Sequence, residues 1–534
     1  MNYFLTKLFN SNWFFITLVA FAIVLPLSQA LVSIFAGIVL ITSLVEDSWE
    51  NKKKRLNKRK ILFLLPAIFL IYLIGSIITN AIWGDYLYDL RKTLFFLVLP
   101  LAFIFGKEIN NRQKRFIFYV FAFSIAISII VALFQWKYIH ETDNFNVHKA
   151  GLISHIRFSF QLILIIWFFV FLIQKNYKIL KNSAKLGVVF LTIFYLSFLL
   201  FQQSLTGLIA FSASFAFYLF YLIFQLKKKF RIFLILSSLL IMTLPIIYVV
   251  SVVNSFYNIE TFDKETIIKK TKQGNWYSHD FRSPMVENGN YVNLFICHVE
   301  MREEWNKLSE FKYDSTGING YPVHSTLIRY LTSKDLKKDA KGVLALNKQD
   351  IQNIENGIAN VIFQKKKYSL YPRIYQTVWE YYVYSHTGEA NYQSFSQRIE
   401  FAKAALLIID DNFWFGVGPG NWKQEFKSAY LKNKSKLNEN LYASSHNQYL
   451  NYMVKFGIVG FTLIMFFIIY PIIRQRKYKD PLFLIFLVFL FFANFADSNF
   501  ESHMGSSFFV FFYCLFLITG KGNYLTIKKN KTNN

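Results

Sequence analysis

The sequence predicts an all-α polytopic membrane protein of about twelve transmembrane helices, with a large, mostly helical insert between the ninth and tenth. Three observations carry that expectation. The 534 residues are 54% hydrophobic, 19% aromatic and only 17% charged, which is far too apolar for an ordinary soluble protein. The apolar residues gather in runs of about 17–25, the length that crosses ~30 Å of hydrocarbon at ~1.5 Å per residue. A polar block of about 190 residues, 254–446, interrupts them after the ninth run.

In order, the runs cover 12–29, 30–46, 61–80, 87–106, 115–137, 157–174, 186–203, 204–226, 231–253, 447–470, 481–497 and 504–520. The net charge of +27 is carried by short connections: ENKKKRLNKRK (50–60), GKEINNRQKR (106–115), QKNYKILKNSAK (174–185), KKKFR (227–231), RQRKYK (474–479) and the tail KGNYLTIKKNKTNN (521–534). If the spans alternate, every cluster falls on one side, and the positive-inside rule makes that side, with both termini, cytoplasmic. The same rule accounts for the basicity without nucleic acid, and no nucleic-acid partner is expected.

The first run ends in PLSQA, which could pass for a signal-peptidase site. Cleavage there would invert every loop against the basic clusters, so the run is expected to stay as an uncleaved helix. Cys297 lies in the polar block and Cys514 in the last run, so no disulfide is expected.

Alternation puts the block 254–446 outside the cytoplasm. It holds helix-like patterns at 338–363 and at SQRIEFAKAALLIID (396–410), the latter with Ser396 as N-cap, and ends in FGVGPGNW. Neither repeats nor low-complexity linkers occur in it. Its Trp276, Trp305, Trp379, Trp414 and Trp422 suit either stacking on sugar rings or buried packing. The expected domains are thus a membrane part in two pieces, 1–253 and 447–520, the insert 254–446 and a basic tail 521–534. Nine spans before the insert and three after it argue against a transporter of two similar halves.

Cations also stand where the charge bias does not want them. The fourth run has too few uninterrupted apolar residues after Lys92 to cross, so it must extend back through DYLYDLRKT, drawing Arg91 and Lys92 to the outer edge. NVHKAGLISHIRFSF likewise sets Lys149, His155 and Arg157 at an outer face. Snorkelling to headgroups is the plain explanation of each alone. Two separate spans doing so favours an anion site, and a lipid-linked pyrophosphate fits guanidinium and ammonium groups.

The insert supplies a second half. Arg398 opens its last helix-like segment, and His446 and Asn447 close it at the start of the tenth run. By spacing, His446 is either a cap or interface residue, or a catalyst. GVGPG (416–420) lacks the lysine and strand context of a nucleotide-binding loop and is expected to be a tight turn. No closely spaced ligand pattern for zinc accompanies the histidine. Asp85, Asp89, Asp143, Asp497 and Glu501 near the outer face would be the only donors for a hard metal, and no metal is expected.

His446-Asn447, nine residues, Gly457, two residues, Gly460 resembles the H-N-x9-G-x-x-G signature of the O-antigen ligase and polymerase superfamily. QRIEFAKAALLIIDDNFWFGVGPGNW resembles what precedes it there, with Arg398 in register with an R-x-x-x-L motif whose leucine is Ala402 in this chain. Segments of the insert, such as NLFICHVEMREEWNK, look like the enlarged loop of Bacteroidetes-type members. The resemblance implies a GT-C-like, inverting, metal-independent glycosyltransferase without cofactor. Such an enzyme moves a glycan from undecaprenyl diphosphate to lipid A–core oligosaccharide at the periplasmic face of the Gram-negative inner membrane, among membrane lipids.

It also implies roles. His446 and Arg398 become the catalytic candidates, and Arg91, Lys92, Arg157, Asn447 and Ser204 the substrate-binding ones, with Gly457 and Gly460 allowing close helix approach. Family members often carry Ser-Arg where this chain has Ser204-Leu205, so Arg157 would supply that charge from the neighbouring span, or the donor is handled differently. An O-antigen polymerase, a protein O-oligosaccharyltransferase and, from another class, a lipid or glycan transporter are the competing readings.

Overall fold

The computed structural model describes residues 12–78, 82–142, 150–225, 228–318, 320–366, 369–518 and 523–527. It falls into two compact units, one of Met1–Trp136, Val147–Arg231 and Arg398–Asn534, the other of Lys137–Asn146 and Ile232–Gln397.

The first unit is an all-α membrane protein. Among the described residues five helices are long and apolar enough to cross a bilayer alone: Asn111–Lys137, His155–Asn176, Asn182–Phe201, Leu205–Gln225 and Gln448–Arg474. Gln29–Val45 and Trp49–Gly75, bent by 116°, make a sixth candidate if taken as one span. Trp13–Val24, Pro481–Ala496 and His503–Leu517 are shorter apolar helices. Side chains that satisfy orphan N–H groups divide the apolar runs. Asn12, Ser28, Asp480 and Ser502 cap helix starts, and the Glu46 carboxylate accepts from the N–H groups of Trp13 (2.6 Å) and Phe14 (2.8 Å).

Two connections differ from expectation. The basic stretch after Ser48 is a helix, Trp49–Arg59, in which Arg55 pairs with Asp47 at 2.5 Å. Arg59 donates to the carbonyls of Phe103 (2.7 Å) and Gly106 (2.8 Å), a cation placed at a helix C-terminus. The fourth run is two helices rather than one: a polar Trp83–Thr93 and an apolar Phe95–Phe105, divided at Leu94.

The unit's core is aromatic. Every residue from Met504 to Leu517 is buried, and that helix stacks Phe511 on Phe21 (4.7 Å) and Phe516 on Phe483 (4.9 Å) and sets Phe512 at a tilt against Phe121 (4.9 Å). A helix apolar on all sides belongs at the centre of such a bundle.

The second unit is mostly helical, with one small hairpin, Val286–Glu287 paired to Asn290–Tyr291. Asn288 (φ 50°) and Gly289 (φ 87°) make its two-residue turn, as an Asn-Gly pair with both φ positive does best. The expected pattern over 338–363 is three pieces, Ala340–Leu344, Lys348–Glu355 and Ile362–Lys365. A capping box of Asn347 and Asp350 restarts the chain, and Gly357 at φ 76° turns it away. Ser396 is not the N-cap: the helix begins at Ser394, and the Ser396 hydroxyl donates to the Glu380 carbonyl at 2.9 Å. Buried Glu287 ties the unit together, paired with Arg329 at 2.5 Å and accepting from Asn360 at 2.6 Å.

Candidate active site

The site grows from the start of the Gln448–Arg474 helix. Asn447 is its N-cap, the side-chain oxygen accepting from the N–H groups of Tyr449 (2.9 Å) and Leu450 (3.2 Å). The Ser445 hydroxyl braces the turn by donating to the Asn447 carbonyl at 2.9 Å. His446 is thereby held at φ 47°, a left-handed backbone that costs an L-residue of this kind about 1–2 kcal/mol. Its ring stacks on Phe401 at 5.4 Å, and its side chain stays 42% exposed.

His446 Nδ1 lies 3.4 Å from Asp497 Oδ1, and Arg157 Nη1 lies 2.6 Å from Asp497 Oδ2. Arg157 Nε also donates to the Ser502 hydroxyl at 3.4 Å. Asp497 sits just past the C-terminus of Pro481–Ala496. Burial pushes its pKa up, but the hydrogen bond with His446 and the charge of Arg157 outweigh that and hold it at about 2.

A second polar cluster lies one helical stretch further on. Lys455, 3% exposed, reaches Asp89 Oδ2 at 3.0 Å and Glu501 Oε1 at 3.1 Å. Tyr72 donates to Glu501 at 2.5 Å, Asn451 to the same carboxylate at 3.2 Å, and the Trp422 indole to Asp89 at 3.0 Å. Sequence reasoning misses Lys455 and Asn451. The signal that finds them is their polarity inside an apolar run, because intramembrane ionisable groups are functional candidates.

Just past the second cluster the helix is broken. Gly457 has φ 59° and ψ −169°, and a loop fills the gap. The N–H groups of Ile458 and Val459 donate to the carbonyls of Phe413 (2.8 Å) and Trp414 (3.2 Å). In return Val417 and Gly418 donate to the carbonyls of Val454 (2.9 Å) and Lys455 (2.9 Å). The four bonds replace the helical ones lost at the break, which apolar surroundings require. Gly457 therefore permits a close approach by a loop, not by a helix: a Cβ there would stand 2.3 Å from the Trp414 carbonyl carbon. GVGPG is the tight turn expected of it, with Gly416, Gly418 and Gly420 at φ 67°, 84° and 89°. Its N–H groups serve this backbone and Asp89, which Gly420 reaches at 3.3 Å.

The other candidate cations converge by different routes. Lys92 lies over the Tyr88 ring at 3.8 Å, and its carbonyl accepts from the Ser506 hydroxyl at 3.2 Å. The Trp83–Thr93 helix and Arg157 therefore meet on the same short stretch, Ser502 to Ser506. Arg91 is exposed and makes neither hydrogen bond nor ion pair among the described residues. Arg398 is likewise without a hydrogen bond or ion pair among the described residues, and it stands one helical turn before Phe401, on which His446 stacks.

Ser204 is placed differently. It is buried, and its hydroxyl accepts from the Gly207 N–H at 3.3 Å to start Leu205–Gln225. A Cβ on Gly207 would come within 3.0 Å of Ser159, at 2.4 Å from its hydroxyl, so the first turns bearing Leu205 and Arg157 touch. Lys149 and Asp143 lie outside the described residues. Asp85 pairs with Lys423, so each described outer carboxylate already faces a cation. Among the described residues no group of three or more metal-ligating side chains forms. Of the five tryptophans of the insert only Trp305 is buried, while Trp276 and Trp414 are 66% and 65% exposed.

These features define a multi-pass membrane protein with an arginine-, carboxylate- and histidine-lined site at the mouth of its helices. Residues 343–465 match the O-antigen ligase family, which supports placing this segment with the ligase and polymerase superfamily. The matched segment contains Arg398, His446, Asn447, Lys455 and Gly457. It supports an activity of the O-antigen ligase or polymerase type, on lipid-linked glycan substrates. No curated protein matches the sequence.

Proposed function

We propose that the protein is an O-antigen ligase of the bacterial inner membrane, a twelve-span GT-C-like glycosyltransferase with cytoplasmic termini and a periplasmic insert. It would transfer a glycan from undecaprenyl diphosphate to lipid A–core oligosaccharide with inversion. The observation that carries this reading is the sharing of Asp497 between Arg157 and His446.

Asp497 accepts from Nδ1 of His446, which leaves Nε2 as the basic nitrogen on an exposed ring. In the reaction an acceptor hydroxyl attacks the anomeric carbon and gives its proton to His446. The bond from that carbon to the phosphate oxygen breaks, and undecaprenyl diphosphate leaves with the electron pair. Arg157, Arg91, Lys92 and Arg398 offset the charge that develops on the pyrophosphate. Arg398 and Arg91, without partners of their own among the described residues, are open to phosphate. Arg157 takes the place of the family arginine at Leu205, whose helix start touches its own. Asn447 sets the turn that aims His446, and Ser204 acts only through the helix it caps.

The test is a gel of lipopolysaccharide from cells whose only copy carries His446→Ala, with expression verified and lipid-linked glycan measured. Loss of capped lipopolysaccharide with accumulation of long glycan on its carrier is expected. A single repeat unit on lipopolysaccharide would make the chain a polymerase, loss of glycosylated protein a protein transferase, and an unchanged pattern would remove His446 from the mechanism.

A further inference from the structure

The second unit contains a cavity of about 380 Å³, toward the lower end of the ~300–1,000 Å³ typical of small-molecule sites. Three aromatic rings line it: Phe262 and Tyr291, edge to face at 5.0 Å, and Phe295. Exposed Glu260, Asp335 and Lys337 stand at its rim. Lys338, 3% exposed, lies deeper.

Two of these residues hold unusual backbones. Phe295 and Asp335 both have φ 56°, a left-handed conformation that bulky residues avoid and that concentrates at functional sites. The N–H of Lys338 donates to the Phe295 carbonyl at 3.0 Å, and its ammonium has a single hydrogen bond among the described residues, to the Tyr291 carbonyl at 3.2 Å. Two of its three N–H donors are therefore unspent. Burial pushes the Lys338 pKa down to about 8, as expected of an ammonium awaiting polar partners.

The chemistry narrows the ligand. A purely apolar molecule would strand the rim charges and the buried ammonium. A phosphate would face Glu260 and Asp335, and a metal ion would face two lysines. Lys337 lies over the Phe295 ring at 5.0 Å, and Phe262 stacks on Phe281 at 5.6 Å. With the carboxylate acceptors and ammonium donors that they border, the rings still give a mixed apolar and polar wall that matches the C–H patches and vicinal hydroxyls of a sugar ring. We propose that this cavity is a saccharide-binding subsite, carried by the insert alone, for one or two sugar residues of a transferred glycan or of its core acceptor. The inference rests on the glycosyltransferase reading above for the origin of the sugar, not for the existence of the cavity.

The test uses the full chain in detergent, titrated by saturation-transfer NMR with two probes: O-polysaccharide fragments and core oligosaccharide, each released by mild acid from the cell's own lipopolysaccharide. Glu260→Gln with Asp335→Asn removes the two rim carboxylates while keeping shape, and Asn tolerates the left-handed backbone. At least one probe is expected to bind, to weaken about tenfold or more in that double variant, and to bind His446→Ala as well as wild type; a tenfold loss is ~1.4 kcal/mol. The probe that binds names the source of the sugar. Binding of neither, or equal binding to the folded double variant, overturns the subsite. If that happens while His446→Ala still abolishes transfer, only the subsite falls. Binding without any transfer would instead overturn the ligase reading.

Discussion

Arg157 Nη1 stands 2.6 Å from Asp497 Oδ2, and the other oxygen of that carboxylate faces His446. One buried anion thus ties a cation on the His155–Asn176 helix to His446, in the matched family segment.

Asp497→Asn follows from that geometry. The amide keeps the shape, loses the charge and no longer fixes the imidazole tautomer. Transfer should fall by about 100-fold, the scale of a misplaced general base, with glycan accumulating on its lipid carrier. Wild-type transfer by well-expressed Asp497→Asn protein would dissociate Asp497 from the proton-accepting step.

Lys455 balances two buried carboxylates, so Lys455→Met should destabilise the protein by about 3–5 kcal/mol, the cost of leaving charge buried and unpaired. Adding Asp89→Asn and Glu501→Gln should restore most of the loss, since a neutral cluster needs no counter-charge. Thermal unfolding of the detergent-solubilised protein reads both; failure of the triple variant to recover would mean that Lys455 acts otherwise.

Gly457→Ala would place a methyl 2.3 Å from the Trp414 backbone at φ 59°. The expected loss is on the order of 3 kcal/mol, with transfer lost because the four bonds to 413–418 cannot form. Gly37→Ala, with nothing within 4 Å of its Cβ, should be neutral in the same unfolding assay.

Lys338 makes a prediction of unusual sign. Its pKa is held at about 8 against an ordinary 10.5, so the unfolded chain binds the proton more tightly. Below pH 8 the buried ammonium costs stability, on the order of 3 kcal/mol. The cost shrinks as pH rises through that value and is gone above about 10.5. Lys338→Met should therefore slow hydrogen exchange around 291–338 in the ligand-free protein at pH 7 and lose that advantage by pH 10. Equal protection of wild type and variant at pH 7 would refute the cost.

Much of this is written in the chain. The long apolar runs, the basic clusters and the H-N-x9-G-x-x-G spacing are local or one-dimensional signals, and they lead to an all-α membrane protein, to the superfamily and to His446. The Asn288-Gly289 hairpin and Lys455 are equally local but easily overlooked, the first inside a block that reads as helical, the second inside a run that reads as apolar. The break at Leu94 is less visible, because a broken and a straight segment have the same hydropathy.

Hydrophobic pattern alone determined which residues leave water, since burial follows from side-chain chemistry and helical period. Which polar groups meet after burial was decided only by tertiary structure. Arg157 reaches Ser502 across 345 positions of sequence, and Asp497 lies on the same distant stretch. The pairing of 413–418 with the break at Gly457 depends on backbone groups that carry no residue signature. An apolar interior forces every buried charge and every unbonded amide to find a partner, yet the chain records only that a partner is needed. The folded bundle chooses it.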